Sequence, residues 1–409
     1  MTMIIKLAWR NIWRNKRRTL ITTASVFLAV LLALIMRSMQ IGTYARMIDN
    51  IVHAYTGYIQ IHKKGYWDEK DINNSFLLED SLALKLRQVS NISTMVPRLE
   101  SFALVSIGQK TKGAVVIGIL PGQEEQLTDI SGNIIKGNYL SKNDSGVLVA
   151  KRLAEFLNLK VSDTIVLLGQ GFHGVSAAGK FPVRGIVHLR SPDLDNQFIY
   201  LSLKMAQDFY SAENRVTSIA FNLNNPKKID RTTSTIKSTL DPARYEVMKW
   251  DEILVELVQY IRSDNASGLI MLGILYMIIG FGIFGTILMM TVERIKEFGV
   301  MVSVGMQKLR LSVMIVIESI LIGLLGVVTG SLACIPIIFY YYYHPIHLTG
   351  EMAVVEEGYG FEALICFEKP GLYFLNNGLL VLLIVAISVI YPLRKIIKLN
   401  IINALRNKV

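Results

Sequence analysis

The sequence predicts a membrane α-helical protein with four transmembrane helices and an N-terminal amphipathic helix. A large α+β extracytoplasmic domain is inserted between helices 1 and 2. Three observations lead there. First, the 409 residues are 52% hydrophobic and only 18% charged, against roughly 25% charged in an average soluble domain, and mean hydropathy is +0.40. That composition excludes a disordered chain and a wholly soluble one. Second, four charge-free stretches approach or exceed the ~20 apolar residues that cross a bilayer. Third, one long polar insertion separates the first stretch from the other three.

The charge-free stretches are residues 19–36, 265–292, 319–350 and 370–393. The first has a basic flank like a signal peptide, but its core is long and Arg37, Ser38, Met39 and Gln40 follow without a small-x-small pattern, so an uncleaved span is expected. Flanking charge orients the helices. Lys6, Arg10, Arg14, Lys16, Arg17 and Arg18 precede span 1; Arg294, Lys296, Lys308 and Arg310 lie between spans 2 and 3; Arg394, Lys395, Lys398, Arg406 and Lys408 follow span 4. The 3–4 segment instead carries Glu351, Glu356, Glu357, Glu362 and Glu368. Positive segments stay inside. Both termini and the 2–3 loop are therefore expected in the cytoplasm. This placement accounts for most of the +11 net charge without invoking nucleic acid.

The expected organisation is a cytoplasmic amphipathic helix over 1–18, spans over 19–42, 265–292, 311–343 and 372–393, and an outer α+β domain of two subdomains over 43–264. A cytoplasmic loop covers 293–310, an outer loop 344–371 and a cytoplasmic tail 394–409. Ile5, Trp9, Ile12 and Trp13 share one face of the first helix. Tyr340, Tyr341, Tyr342 and Tyr343 fit the outer headgroup level or a binding face. In the outer domain, strand-like runs include 57–62, 102–107, 114–119, 164–168 and 218–223. Helical patterns include Leu82, Leu84, Leu86 and Val89, and Leu153, Phe156 and Leu157. Ile253, Leu254, Leu257, Val258 and Ile261 predict a helix running straight into span 2.

Chemical motifs are sparse. Residues 174–180 read G-x-x-x-x-G-K, but Phe181 stands where a P-loop needs Ser or Thr, so a glycine-rich hairpin is expected. His344 and His347 are the closest histidines, with no third ligand nearby. Cys334 and Cys366 suggest neither a disulfide framework nor a metal site. The 2–3 loop stands apart: charged ends from Glu293, Arg294 and Glu297 enclose an apolar middle with Phe298, and Gly299 and Gly305 permit turns before Met306. As residues, it reads equally as a buried connector or as a short helix docking into a partner.

The Glu-Arg-x-x-Glu-Phe-Gly-x-x-x-Ser-x-Gly run over 293–305 resembles the coupling-helix signature of FtsX/MacB-type ABC transporter permeases. The opening run from Trp9 to Arg18, Glu318 followed by Gly323, Gly326 and Gly330, and the end from Tyr391-Pro392 to Arg406 are similar to that family's patterns. Within it, residues 116–122 and 159–163 resemble the lipoprotein-releasing (Lol, LolC/LolE) permeases, although Ser162 replaces the usual glycine.

The resemblance implies a mechanotransmission, or type VII, transporter in a bacterial inner membrane with its large domain in the periplasm. Two copies of a separate cytoplasmic ATPase would use ATP and Mg, and this chain would bind no cofactor or metal itself and have no catalytic residue. A second permease chain, identical or a sister, would complete the assembly. Glu293, Arg294, Glu297, Phe298, Gly299, Gly305 and Met306 would receive force, with Arg294 and Glu297 as polar contacts and Phe298 as the apolar knob. Gly323, Gly326 and Gly330 would let span 3 pack closely. Gln170, Gly171, Phe172 and His173 fall where a Lol permease meets a periplasmic carrier. The substrate would be a lipoprotein drawn from the outer leaflet, in contact with membrane lipid. The alternatives are a MacB-like exporter of peptides, toxins or small hydrophobic compounds, and an FtsX-like regulator of a periplasmic hydrolase.

Overall fold

The computed structural model describes residues 2–14, 16–358 and 360–398. The closing motif around 403–406 lies outside the described residues. Two compact units are present. One comprises Met1–Ala45, Tyr260–His347 and Leu364–Val409; the other comprises Arg46–Gln259 and Leu348–Ala363.

The first unit is built mainly on helices, two of which, α2 and α3, extend past its bounds: α1 (Thr2–Arg14), α2 (Lys16–Ile51), α3 (Val255–Glu293), α4 (Ile295–Ser303), α5 (Lys308–Tyr343) and α6 (Leu372–Ile397). Helices α2, α3, α5 and α6 are long and apolar enough to cross a membrane. Each runs beyond its apolar stretch at one end or both. Hydropathy marks the part that suits lipid, whereas the hydrogen-bonded helix continues into polar sequence. The helix leading into span 2 begins only at Val255, because Leu254 ends the separate turn Trp250–Ile253. Pro336 does not interrupt α5.

The buried stripes follow helical spacing: Val26, Val30, Ala33 and Leu34 on α2, Ile283, Ile287 and Met290 on α3, and Val381, Val385 and Val389 on α6. Helix α1 contributes Ala8 and Ile12 to this core, while Trp9 and Trp13 stay exposed with their rings edge to face at 6.2 Å. Its apolar face is thus split between bundle and surroundings, not shared as one side. Segment 344–371 is more ordered than a loop: Ile346–His347 pairs with Leu364–Ile365, and Glu351–Gly358 is a helix. Tyr341 stacks on Phe367, and the Lys369 ammonium lies 4.6 Å from the Tyr342 ring.

The second unit is α+β. Its ten-stranded sheet uses β1 (Ile59–Lys63), β2 (Ile92–Ile107), β3 (Lys110–Ile119), β4 (Ile134–Gly137), β5 (Val147–Ala150), β6 (Thr164–Gln170), β7 (Ser176–Val187), β8 (Phe198–Ser202), β9 (Ser218–Leu223) and β10 (Tyr245–Lys249). The order is β10-β1-β9-β2-β3-β8-β5-β7-β4, and β6 pairs with both β2 and β7. Those pairings close β2, β3, β8, β5, β7 and β6 into a ring, while the first half of β2 extends the sheet through β9. The two subdomains expected are therefore joined by one sheet and one long strand.

Alternation sorts the strands' side chains. Val147 and Val149, Ile199 and Leu201, and Ala114 and Val116 fill one core; Leu148 and Ala150, Phe198 and Tyr200, and Ile117 and Ile119 fill another on the opposite face. Within the sheet region, Arg98, 1% exposed, holds Glu124 through Nε at 3.0 Å and Nη2 at 2.6 Å.

Candidate functional site

The segment between α3 and α5 is an ordered helix with two unlike sides. Arg294, Ile295, Phe298 and Gly299 are buried; Lys296, Glu297 and Val300 are exposed, as are Ser303, Val304 and Gly305 beyond them. The spacing of the buried residues, i, i+1, i+4 and i+5, is that of one helix face.

On the buried side, Nη1 of Arg294 donates to both carboxylate oxygens of Glu318 on α5, at 2.9 and 3.0 Å. Arg294 is 6% exposed and Glu318 3%. The guanidinium also lies 5.3 Å from the Phe298 ring, and its Nε reaches Glu297 at 3.5 Å. Arg14 of α1 approaches Glu297 at 2.5 Å, which links three helices through alternating charges. That outer pair is largely exposed and adds little to stability; the inner one is shielded from water.

Phe298 is 1% exposed and shares its pocket with Met290, Thr291 and Ile315. The expectation that it protrudes as an apolar knob is therefore corrected: the ring faces the bundle because its helix face also carries Ile295 and Arg294. Arg294 is likewise occupied by Glu318 and faces inward. The exposed apolar positions are Val300 and Val304, four residues apart, and Val304 is 84% exposed.

The helix ends in a defined way. Met306 N–H donates to Met301 O at 3.0 Å and Gly305 N–H to Val302 O at 3.1 Å, the paired bonds of a Schellman stop. Gly305 has φ of +106°, a backbone conformation that side chains disfavour. Gly305 and Met306 thus fix the direction in which the chain leaves for α5. Glu293 is exposed at the end of α3.

The three glycines of α5 do not share one neighbour. A Cβ on Gly326 would meet Val26 at 2.5 Å and one on Gly330 would meet the Phe27 carbonyl at 2.8 Å, both on α2. A Cβ on Gly323 would instead meet Val385 of α6 at 3.2 Å.

In the α+β unit, Gln170 ends β6, and Gly171, Phe172 and His173 turn the hairpin into β7. This loop is tied down. Phe172 N–H donates to Tyr210 O at 2.8 Å, the Arg215 guanidinium lies 4.2 Å from the Phe172 ring, and His173 N–H donates to Asn73 Oδ1 at 2.7 Å. Only Gln170 and His173 are exposed among the four. The G-x-x-x-x-G-K run continues into β7, so it forms a hairpin and not a phosphate loop. Sequence reading missed the roles of Arg14 and Val304; a cation opposite Glu297 and a valine one turn beyond Val300 were visible, but not their orientation.

Residues 269–401 match the family described as FtsX-like permease C-terminal. The chain is 21% identical over 340 residues to the ABC transporter permease MJ1507 of Methanocaldococcus jannaschii, covering 80% of this chain and 81% of that protein. It is 23% identical over 343 residues to the macrolide export ATP-binding/permease protein MacB of Aggregatibacter actinomycetemcomitans, covering 78% of this chain and 50% of that protein. The solved periplasmic region of MacB from Actinobacillus actinomycetemcomitans aligns over 51% of this chain and 95% of its own, at 20% identity and a TM-score of 0.35. Residues 269–401 thus carry an FtsX-like permease C-terminal domain, and the chain is similar over about four fifths of its length to ABC transporter permeases that include MacB.

Proposed function

We propose that this permease is the force-transmitting subunit of its transporter. A separate ATPase, in two copies, seats on the exposed side of α4, and a second permease chain completes the assembly. ATP-driven movement passes from α4 into α5, and along α2 and α3 into the outer domain. The observation that carries this reading is the two-sided α4: Arg294 and Phe298 lock one side to the bundle, while Lys296, Val300 and Val304 leave the other open. A push on the open side is then delivered to α5 and not absorbed by a loop. The charge bias supports both termini and α4 on the cytoplasmic side.

The substrate is handled on the outer face. Two observations support two classes. Leu269, Ile270, Met277, Ile278 and Phe281 leave α3 exposed and apolar, which suits acyl chains of a lipoprotein, and residues 116–122 resemble the lipoprotein-releasing group. The MacB relative, named for macrolide export, supports export of hydrophobic compounds or peptides. A carrier docking at 170–173 would meet an already braced loop.

Affinity purification in nanodiscs followed by intact mass spectrometry tests the reading. A retained ATPase with an acylated lipoprotein supports release; an ATPase with an adaptor and no acylated species supports export. A retained peptidoglycan hydrolase with no cargo, or no ATPase at all, overturns it.

A further inference from the structure

The helix α2 continues into the α+β unit and ends there in a π turn, Val52–Thr56, closed by Gly57 N–H on Val52 O at 2.8 Å. Turns of this kind recur at functional sites. This one is fastened to the sheet through Tyr55. Its carbonyl oxygen accepts from Nη1 of Arg98, and its hydroxyl donates to Glu100 Oε2 at 2.5 Å. Arg98 and Glu100 are buried and lie two residues apart on β2, so their side chains share a face.

The two anchors are themselves held. Arg98 grips Glu124 of the helix Pro121–Thr128. Glu100 Oε1 accepts from Ser218 Oγ at 3.1 Å, and Glu100 N–H donates to Thr217 Oγ1 at 2.8 Å. The Tyr55 ring meets Phe198 of β8 edge to face at 5.0 Å. The residues that follow bond to the other half of the sheet: Thr56 O accepts from Gln60 Nε2 of β1, and Tyr58 N–H donates to Phe221 O of β9, each at 2.8 Å.

Arg98 and Glu100 flank the point where β2 passes from one half of the sheet to the other. Pairing with β9 ends at Arg98, pairing with β3 begins at Leu99, and β6 joins at Ala103. Among the described residues no strand pairs with β2 across the switch from Arg98 to Leu99, so β2 alone carries the sheet through it. A buried ion pair gains little stability, because apolar side chains of similar volume often serve as well or better. What Arg98, Glu124 and Glu100 add is position: they fix Tyr55, and with it the end of α2, to one point of β2.

We propose that Tyr55, Arg98 and Glu100 form the joint through which movement of α2 turns the ring of strands against the β10-β1-β9 half of the sheet, about Leu99. This inference deepens the force-transmitting reading and rests on it.

The test is a spin-label distance measurement on the full-length permease in nanodiscs, with Cys334→Ala and Cys366→Ser. One label sits at Lys136→Cys on β4, in the half that holds the ring, and the other at Lys237→Cys on the helix Ile229–Thr239, which packs beside β10; both positions are exposed. In the permease alone, Tyr55→Phe should broaden the distance distribution while the fold is retained. With the co-purified ATPase, trapping with ATP and vanadate should shift the distance, and Tyr55→Phe should lose the shift while turnover continues. The double variant Arg98→Met, Glu124→Met leaves neither partner's charge orphaned, so its unfolding temperature should be level or higher, yet the shift should again be lost. A shift that survives in both stably folded variants, an unchanged distribution in Tyr55→Phe, or a parent distance that stays fixed while the bound ATPase turns over, overturns the joint. Failure to retain any ATPase counts against the transport reading alone, and the labelled permease by itself then decides the joint.

Discussion

Arg294 and Glu318, 24 residues apart, form a buried two-oxygen ion pair that fastens the helix Ile295–Ser303 to α5. Charges taken out of water are costly, and removing one partner leaves the other uncompensated, at about 3–5 kcal/mol. Glu318→Leu alone should therefore lower the stability of the permease by that order, and Arg294→Met likewise. The double variant should recover most of the loss, since an apolar pair of similar volume leaves no orphan charge. Thermal unfolding in detergent measures all three. Additive losses in the double variant would show that the two residues act independently.

The α5 glycines should differ in their tolerance of alanine. At Gly326 and Gly330 the new methyl would meet the α2 side chain and backbone at 2.5 and 2.8 Å. Overpacking of that kind costs about 1–3 kcal/mol, more than the ~1 kcal/mol that alanine gains over glycine in a helix. At Gly323 the neighbour is a valine methyl at 3.2 Å, which a small rotation relieves. Gly326→Ala and Gly330→Ala should lower the unfolding temperature, and Gly323→Ala should leave it level or raise it. Equal effects at all three would mean that α5 meets α2 and α6 alike.

His62 on β1 gives the outer domain a pH limit. It is fully buried between Tyr66 and Trp67, at 5.3 and 5.4 Å between ring centres. Burial, with the nearby Lys70 charge, pushes its pKa down to about 3. The unfolded chain takes up its proton near pH 6.5, whereas the folded domain holds the ring neutral. Stability should therefore be full above pH 6.5 and fall as pH drops towards 3, at up to about 1.4 kcal/mol per pH unit. His62→Phe should flatten that slope in acid unfolding curves. An unchanged slope would place the acid sensitivity elsewhere.

What the sequence made legible follows from which rules are local. A bilayer-length apolar run is a local property, so four spans could be counted, and strand alternation located 59–63 and 218–223 closely. Partners are not local. Helical spacing gives Gly323, Gly326 and Gly330 a common face, yet the neighbour on that face changes with height along α5. Arg294 and Phe298, four residues apart, could as well have faced a partner protein; Glu318, brought in from another helix, decides that they face inward. The long β2 strand that joins both parts of the outer sheet is equally invisible, because its first half pairs with residues more than 100 positions away.

The same reversal separates two substitutions that the sequence alone would rank the other way. Phe298→Asp places a carboxylate where an aromatic ring is fully enclosed beside Glu318, so it should cost at least the ~3–5 kcal/mol of losing a buried Phe and destabilise the permease itself. Val304→Asp alters a side chain that is 84% exposed, just before the Schellman stop, and should leave folding intact. If the open side of this helix receives the ATPase, Val304→Asp should reduce co-purification of the ATPase about tenfold or more and lower its stimulated turnover, with unfolding temperature and membrane insertion unchanged. Retained ATPase association in Val304→Asp, together with selective loss of association in a stably folded Phe298→Asp, would return the contact to the aromatic ring and require the helix to turn over on binding.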